Sequence, residues 1–190
     1  PVCSPTRASI MTGKYPPRTH ITNFIGGDRR GKLLPPPNQD HLALEEVTLA
    51  EKLRDGGYTN LFAGKWHLGT GAYSPNAQGF GPGLSGSGQF YYPPSDVPPP
   101  NPKDDPKTTD RIADEAVRFI EANKDRPFFA YLPFLAVHIP IGARPDLVEK
   151  YQRKKASAPP DAWGQERDHR VRLVQNNAVY AAMLEQMDTA

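Results

Sequence analysis

Five residues of this sequence stand out because their types could act together on an anionic substrate. Cys3 is the only cysteine, and Arg7 follows it by one helical turn. A helix N-terminus favours anions and lowers thiol pKa values, so a sulfur there beside a guanidinium could attack or bind an anion. Lys65, His67 and His138 add a fixed cation and two groups that move protons near neutral pH. The residue types thus predict a site for a negatively charged group.

Two helix-then-strand units are predicted to position these residues. Residues 6–12 predict a short helix after Cys3, because Pro5 suits a first turn and Gly13 suits a left-handed C-terminal position. Thr48 and Glu51 have the spacing of a capping box, which predicts a short helix that ends at the following glycine pair. Residues 58–63 then predict a buried strand, and residues 64–69 a loop that carries the lysine and the first histidine.

The second unit repeats this order. Residues 110–123 have helical period, with Thr108 or Thr109 as the expected N-cap, and residues 128–132 predict a buried strand. Residues 146–154 predict a basic, exposed helix, and residues 168–188 a longer helix. Apolar strands that follow helices are typical of an α/β fold with parallel strands, where ligands collect at the carboxyl ends of the strands. Both histidine loops follow such ends.

Composition narrows the classes of protein and partner. The 190 residues carry 23 basic and 21 acidic side chains, a net charge of +2, which gives no general reason to expect nucleic acid or anionic lipid as partner. No apolar run approaches the roughly 20 residues of a membrane span. A single cysteine excludes an internal disulfide and a zinc site built from several thiolates.

Proline-rich stretches predict long loops. Prolines number 22, and residues 14–44 are expected to form a surface loop. Residues 73–106, rich in proline and glycine, are expected to be a surface insertion with short edge strands at most. The chain has no initiator Met, and its last helical pattern runs to Ala190 without a stop signal. We therefore expect residues 1–190 to be part of a single domain, truncated at both ends.

Two long motifs resemble the signatures of one enzyme family. The string from Cys3 to Gly13 is similar to the sulfatase signature Cys-x-Pro-x-Arg, followed by a small and apolar stretch and Thr-Gly. Gly64-Lys65-Trp66-His67-Leu68-Gly69 resembles the core of the second sulfatase signature, and residues 127–132 before His138-Ile139-Pro140 resemble the strand that precedes the family's His-x-Pro element. The sequence thus resembles the formylglycine-dependent, Cys-type sulfatases of the alkaline phosphatase superfamily.

The resemblance implies a fold and a mechanism. The fold would be an α/β sandwich around a mixed, mostly parallel sheet flanked by helices. Cys3 would be oxidised to formylglycine by a formylglycine-generating enzyme, and its hydrated aldehyde would attack the sulfur of a sulfate ester and then expel sulfate. By resemblance, Arg7 would steady the diol and sulfate, Lys65 would bind sulfate, His67 would assist turnover and His138 would hold or protonate the leaving oxygen.

The resemblance also implies a calcium ion that touches the diol derived from Cys3. The other four protein ligands would lie outside this chain, so we expect the isolated 190 residues to have no sulfatase activity and little calcium affinity. The family places a polar group near residues 83–88, where Ser85 and Ser87 are both candidates. A periplasmic or secreted location follows from the family alone.

Two alternatives remain open from the sequence. One is a phosphate or phosphonate ester hydrolase of the same superfamily, since some members share the formylglycine motif. The other is a non-catalytic, sulfatase-like binding protein. The expected substrate is an aryl or carbohydrate sulfate monoester, including sulfated polysaccharide, with no nucleic acid partner and no membrane span.

Overall fold

The computed structural model describes residues 2–27, 32–33, 37–86, 105, 107–157, 160 and 162–190. The chain divides into two compact units, one made of Pro1–Pro99 with Ile112–Pro133 and the other of Pro100–Arg111 with Phe134–Ala190. The helices are α1 (Cys3–Thr12), α2 (Pro16–Thr19), α3 (Leu49–Asp55), α4 (Thr109–Asn123), α5 (Pro145–Ala156) and α6 (Ala178–Thr189). The strands are β1 (Thr59–Lys65), β2 (Leu84–Gly86), β3 (Phe128–Tyr131), β4 (Trp163–Glu166) and β5 (His169–Arg172).

The first unit holds a three-stranded parallel sheet in the order β2-β1-β3. Thr59 pairs with Phe128, and Ala63 pairs with Leu84. All of β1 after its first residue is buried, as expected of a central parallel strand, whereas β3 is half-buried. The predicted α/β class with parallel strands is confirmed. β1 continues to Lys65, so this lysine belongs to the strand end and not to the loop predicted for residues 64–69.

The core of the first unit is aromatic at its centre. The Phe62 ring lies 5.3 Å from that of Trp66 and 5.4 Å from that of Phe80, in edge-to-face arrangements. Ile21 and Leu42 are also fully buried, so the segment 14–44 predicted as surface loop supplies core side chains.

The described part of the predicted insertion, residues 73–86, also differs from a surface segment. Two short 3-10 helices, Gly71–Tyr73 and Pro75–Gln78, lead into it. Gln78 and Phe80 are buried, and β2 extends the sheet. The side-chain amide of Gln78 donates to the carbonyl oxygen of Leu42, and the backbone carbonyl oxygen of Gln78 accepts from the Thr48 hydroxyl. These buried bonds tie the segment to the core despite its prolines and glycines.

Local signals predicted the short helices well. The Thr48 hydroxyl accepts from the Glu51 N–H, and the Glu51 carboxylate accepts from the Thr48 N–H, which completes the capping box of α3. Gly13 adopts φ of 68° and closes α1. Thr108 directly precedes α4, at the expected N-cap position, but the side chain that accepts from the first N–H groups belongs to Asp105, whose carboxylate accepts from Thr109 and Arg111.

The second unit contains the hairpin β4-β5 and the helices α5 and α6. The helix predicted over residues 168–188 is wrong in its first half, where β5 pairs antiparallel with β4. Val171 alternates with two exposed arginines in β5, and this period of two suits a half-buried strand. Asn177 then caps α6 by accepting from the Tyr180 N–H. None of the helices in the described ranges has both the length and the apolarity that crossing a bilayer requires.

Candidate active site

Cys3 is the first residue of α1. The preceding residue, Val2, is extended and offers no side-chain cap, so the first turn of the helix keeps backbone N–H groups without intrahelical partners. Pro5 lies in this first turn, where its missing N–H breaks no helical bond. The Cys3 side chain is half-buried, with no disulfide. The sulfur therefore belongs to a rigid, electropositive helix start.

Arg7 connects the Cys3 helix to the end of β1. Its Nη1 donates to the carbonyl oxygen of Lys65 at 2.7 Å. Burial lowers the pKa of Arg7, while the Tyr131 phenol, which is hydrogen-bonded to it, and the Cys3 thiol act in the opposite direction. Burial likewise raises the pKa of Tyr131, and Arg7 opposes that rise. Because a guanidinium stays protonated at physiological pH, Arg7 is a permanent positive charge beside Cys3.

Lys65 ends β1 almost completely buried, at 2% exposure. Its N–H donates to the Pro133 carbonyl oxygen at 2.9 Å. The preceding Gly64 has φ of 139°, and a Cβ at this position would lie 2.3 Å from the same oxygen. Only glycine fits this close approach, because a Cβ would collide with the Pro133 carbonyl oxygen. The approach holds the end of β1 against the residues that follow β3.

His67 is oriented by the backbone of Ile25. The ring Nε2 lies 2.9 Å from the Ile25 carbonyl oxygen, which can only accept, so Nε2 carries a proton and donates. In the neutral ring the accepting nitrogen is then Nδ1. The Ile25 N–H in turn donates to the Ser4 hydroxyl at 3.1 Å. Ser4 is fully buried and adjoins Cys3, so one residue of a distant loop links the Cys3 helix to His67.

Two hydrogen bonds anchor the loop after β1, residues 66–69, to Leu42 and Tyr73. Trp66 Nε1 donates to the Tyr73 carbonyl oxygen at 2.9 Å, and the Leu42 N–H donates to the Leu68 carbonyl oxygen at 2.8 Å. The His41 ring stacks on Tyr73 at 3.6 Å between centroids. These contacts hold residues 66–69 in one conformation around His67.

Four of the predicted site residues thus share one region of the first unit: Cys3, Arg7, Lys65 and His67. Ser4, Ile25 and Tyr131 complete it, and none of the three was predicted to have a role. Ser4 and Tyr131 lie within the sequence motifs described above. The signal that could have identified Ser4 is its polar side chain next to the nucleophile, and for Tyr131 it is a polar group within an apolar strand. Ile25 acts through its backbone, which carries no sequence signal.

The remaining site residues and candidates from the sequence are His138, Ser85 and Ser87. His138 belongs to the second unit, is exposed, and its Nδ1 donates to the Ile139 carbonyl oxygen at 2.6 Å. Its role in the site stays a prediction. Ser85 lies in β2, where its backbone pairs with Gly64, and Ser87 lies outside the described residues.

The described residues do not supply the ligands of the metal site that the family resemblance implies. Among the described ranges, no group of three or more His, Cys, Asp and Glu side chains could hold an ion. Within the part of the chain that the structure describes, Cys3 therefore offers a single sulfur, which does not fit a hard cation that takes 6–8 oxygen ligands.

The arrangement can bind and polarise an anion at Cys3. A helix start, the Arg7 guanidinium and the buried Lys65 supply positive charge with little solvent screening. His67 adds an oriented imidazole. Such a set suits a reaction in which negative charge on non-bridging oxygens must be stabilised while a proton moves.

Comparisons with known proteins give the family. The family model described as Sulfatase matches residues 1–190. Arylsulfatase G of Mus musculus is 31% identical over 191 residues, which cover 76% of this chain and 34% of that protein. The solved structure of Ps i-CgsB aligns with a TM-score of 0.67 at 21% identity, over 98% of this chain and 42% of its own.

A further solved structure, BT4656 in complex with its substrate D-glucosamine-2-N,6-O-disulfate, aligns with a TM-score of 0.61 at 21% identity, over 84% of this chain and 30% of its own. At such identities these structures speak for the fold, which is the expected alkaline-phosphatase-like α/β arrangement. The chain spans about a third of the length of the arylsulfatase G that it matches. With the family match over its whole length, the chain belongs to the sulfatase family.

Proposed function

We propose that this chain forms the nucleophile-bearing part of a hydrolase that cleaves sulfate monoesters, aryl or carbohydrate. The observation that carries the proposal is the bond from Arg7 Nη1 to the Lys65 carbonyl oxygen, 2.7 Å long. It brings the two sulfatase motifs together at the start of the Cys3 helix. The names of the relatives, arylsulfatase G among them, support the same chemistry.

Cys3 is proposed to act after oxidation to formylglycine by a formylglycine-generating enzyme. This group supplies a hydrated aldehyde, of which one hydroxyl attacks sulfur and the other later expels sulfate. The fit is supported by the half-buried position of Cys3 at the first residue of α1, within the electrostatic influence of Arg7. Calcium is proposed only as an ion that the diol derived from Cys3 would contact, with its other ligands outside this chain.

The remaining residues have distinct roles in the proposal. Arg7, which is half-buried, and Lys65, which is buried, neutralise the sulfuryl oxygens in this proposal. His67, with its proton fixed on Nε2 by Ile25, exchanges a proton at Nδ1 with the nucleophilic hydroxyl. His138 is proposed to hold or protonate the leaving oxygen, and its Nε2 is the nitrogen for this because Nδ1 donates to Ile139.

Mass spectrometry of the full-length protein, expressed with a formylglycine-generating enzyme, tests the nucleophile. Conversion of the Cys3 thiol to an aldehyde lowers the peptide mass by about 18 Da. The modified protein should hydrolyse an aryl sulfate, and Cys3→Ala should not.

A thiol that stays unmodified where a control is converted would favour a binding protein. Faster turnover of an aryl phosphate than of the matched sulfate would favour the phosphate ester alternative. The expected periplasmic or secreted location is part of the same proposal.

A further inference from the structure

A cationic face on the second unit points to a second ligand site. The face consists of Trp163, Arg170 and Arg172 on the β4-β5 hairpin and of Lys154 and Lys155 on α5. We propose that this cationic face binds the sulfate groups of a sulfated polysaccharide chain. The inference rests on the proposed function, because it names a polymeric substrate class for the same enzyme.

The hairpin separates its charges by face. Trp163 pairs directly with Arg172, and Gln165 pairs with Arg170, so these four side chains share one side of the two-stranded sheet. All four are exposed, with Trp163 at 45%. The only carboxylate of the two strands, on Glu166, belongs to the opposite face with His169. One side of the hairpin is therefore aromatic and cationic, without a carboxylate of its own strands.

Trp163 holds both guanidinium groups. The Cζ atoms of Arg170 and Arg172 lie 4.9 Å and 4.8 Å from the centroid of its ring. A guanidinium placed against an aromatic ring keeps its N–H donors directed outward in its own plane, where they can bind oxyanions in a bidentate manner. The ring also limits the motion of two long side chains, so less entropy is lost when an anion binds.

A cavity continues the face toward α5. Its volume is about 220 Å³, and its lining includes Lys154, Lys155, Asn176 and Asn177. Arg172 donates from Nη1 to the side-chain oxygen of Asn176, so a hydrogen bond connects the hairpin to the cavity lining. The cavity thus offers two ammonium groups and two amides, which suit sulfate oxygens and sugar hydroxyls respectively.

The two cavity lysines differ from their neighbours on the same helix. Lys150 pairs with Glu185 at 2.6 Å, and Arg153 pairs with Glu149 at 2.5 Å. Within the described ranges neither Lys154 nor Lys155 has an ion pair, although Lys154 lies 5.9 Å from the centre of the Tyr151 ring. α5 therefore carries both neutralised cations and cations whose charge is available to a ligand.

The ligand class follows from chemistry as well as charge. The chain as a whole carries a net charge of only +2, so the cationic face is local and not part of a generally basic protein. Cations on the hairpin and at the cavity, together with the amides of Asn176 and Asn177, suit a polymer that carries both sulfates and hydroxyls. Sulfate esters stay ionised at all physiological pH values, so the charge match holds throughout.

The experiment measures binding of dextran sulfate and of uncharged dextran to the full-length protein at several salt concentrations. The double variants Arg170→Gln/Arg172→Gln and Lys154→Gln/Lys155→Gln should each weaken dextran sulfate binding by about 10-fold or more and reduce its salt dependence. The control variant Lys150→Gln/Arg153→Gln removes the same charge from ion-paired positions of α5 and should bind nearly as wild type. Melting curves confirm that each variant is folded.

Three results would overturn the inference: equal losses in control and test variants, wild-type binding by both test variants, or equal competition by single-stranded DNA of matched charge, which would indicate a general polyanion surface. Hydrolysis of a small aryl sulfate is measured in parallel. Polymer binding that depends on the cationic face, in a protein that cleaves no sulfate ester, would support this inference and count against the proposed function.

Discussion

The Arg7 guanidinium donates to the backbone of Lys65, with 2.7 Å between Nη1 and the carbonyl oxygen. One side chain of the first motif thereby fixes the strand end that carries the second motif. A primary ammonium in its place would keep the charge but lose the planar fork that serves both the backbone and an anion.

Arg7→Lys should therefore lower kcat/KM for an aryl sulfate by about 10²-fold, because the transition-state charge loses an oriented donor. The rate is expressed per molecule modified at Cys3, as counted by mass spectrometry, so that a change in the extent of modification is separated from a change in turnover. Arg18→Lys, at an exposed position of α2, is the matched control and should leave the rate unchanged. An Arg7→Lys rate equal to that of this control would contradict the assigned role.

Ser4→Ala removes the hydroxyl that accepts from the Ile25 N–H. The buried N–H loses its partner, which should lower the free energy of unfolding by about 1 kcal/mol. Because Ile25 also orients His67, kcat should fall by about 10-fold, with a changed pH profile as the sign that the imidazole is affected.

Ser9→Ala on the same helix is the control, since Ser9 makes no side-chain hydrogen bond within the described part of the chain. Urea unfolding and kcat against pH are measured for both variants. A Ser4→Ala protein that loses stability but keeps the wild-type pH profile would limit Ser4 to a structural role.

Gly64→Ala places a methyl group 2.3 Å from the Pro133 carbonyl oxygen at a φ of 139°. Either β1 or the segment after β3 must move, so the expected loss of stability is about 3 kcal/mol or more. Gly13→Ala is the control: φ is 68° and no atom lies within 4 Å of the added carbon, so only the left-handed strain of about 1 kcal/mol is expected. Equal melting temperatures for the two variants would refute the close approach.

Asp105 caps α4 while largely removed from water. Burial raises the pKa of its carboxyl, against the hydrogen bonds from the backbone of residues 109–111. When folding raises the pKa of an acid, that acid adds to the free energy of unfolding below its unfolded pKa. This contribution is lost as the pH rises through the folded pKa. The ionised carboxylate thus costs stability at neutral pH.

Asp105→Asn keeps an acceptor for the Thr109 N–H and does not titrate. Its stability relative to wild type should therefore improve as pH rises from the acid range to neutrality. Asp105→Ala loses the cap and should cost about 1 kcal/mol. Urea unfolding across this pH range measures both effects, and a constant difference between Asp105→Asn and wild type would show that burial does not raise this pKa.

Local sequence signals predicted the elements whose ends are encoded by short-range chemistry. The capping box of Thr48 and Glu51 and the left-handed Gly13 depend on neighbours within a few residues. The strand β5 was missed because Val171 and Val174, the latter beyond the strand, have a spacing that also fits a helical stripe, and only the cross-strand pairing with Trp163 decides for a strand. Tertiary contact overrode a local pattern.

The same division applies to the site. Cys3, Arg7, Lys65 and His67 could be chosen from the sequence because their side chains carry the chemistry and their motifs are long. The atoms that orient them could not, since the carbonyl oxygens of Lys65 and Ile25 belong to the backbone of segments far apart in the chain. No residue type marks a carbonyl oxygen.

The parallel pairing of β1 also has a consequence for folding kinetics. Its neighbours come from distant positions in the chain, with Thr59 opposite Phe128 and Ala63 opposite Leu84. Closing such long loops costs chain entropy before contacts between the strands can offset that cost, so sheets of this kind form slowly. Lys65 is held through Pro133, beyond the last of these strands. The geometry of the proposed site therefore forms late, after synthesis has proceeded well past both motifs, and an early-arrested chain would contain the signature residues without the assembled site.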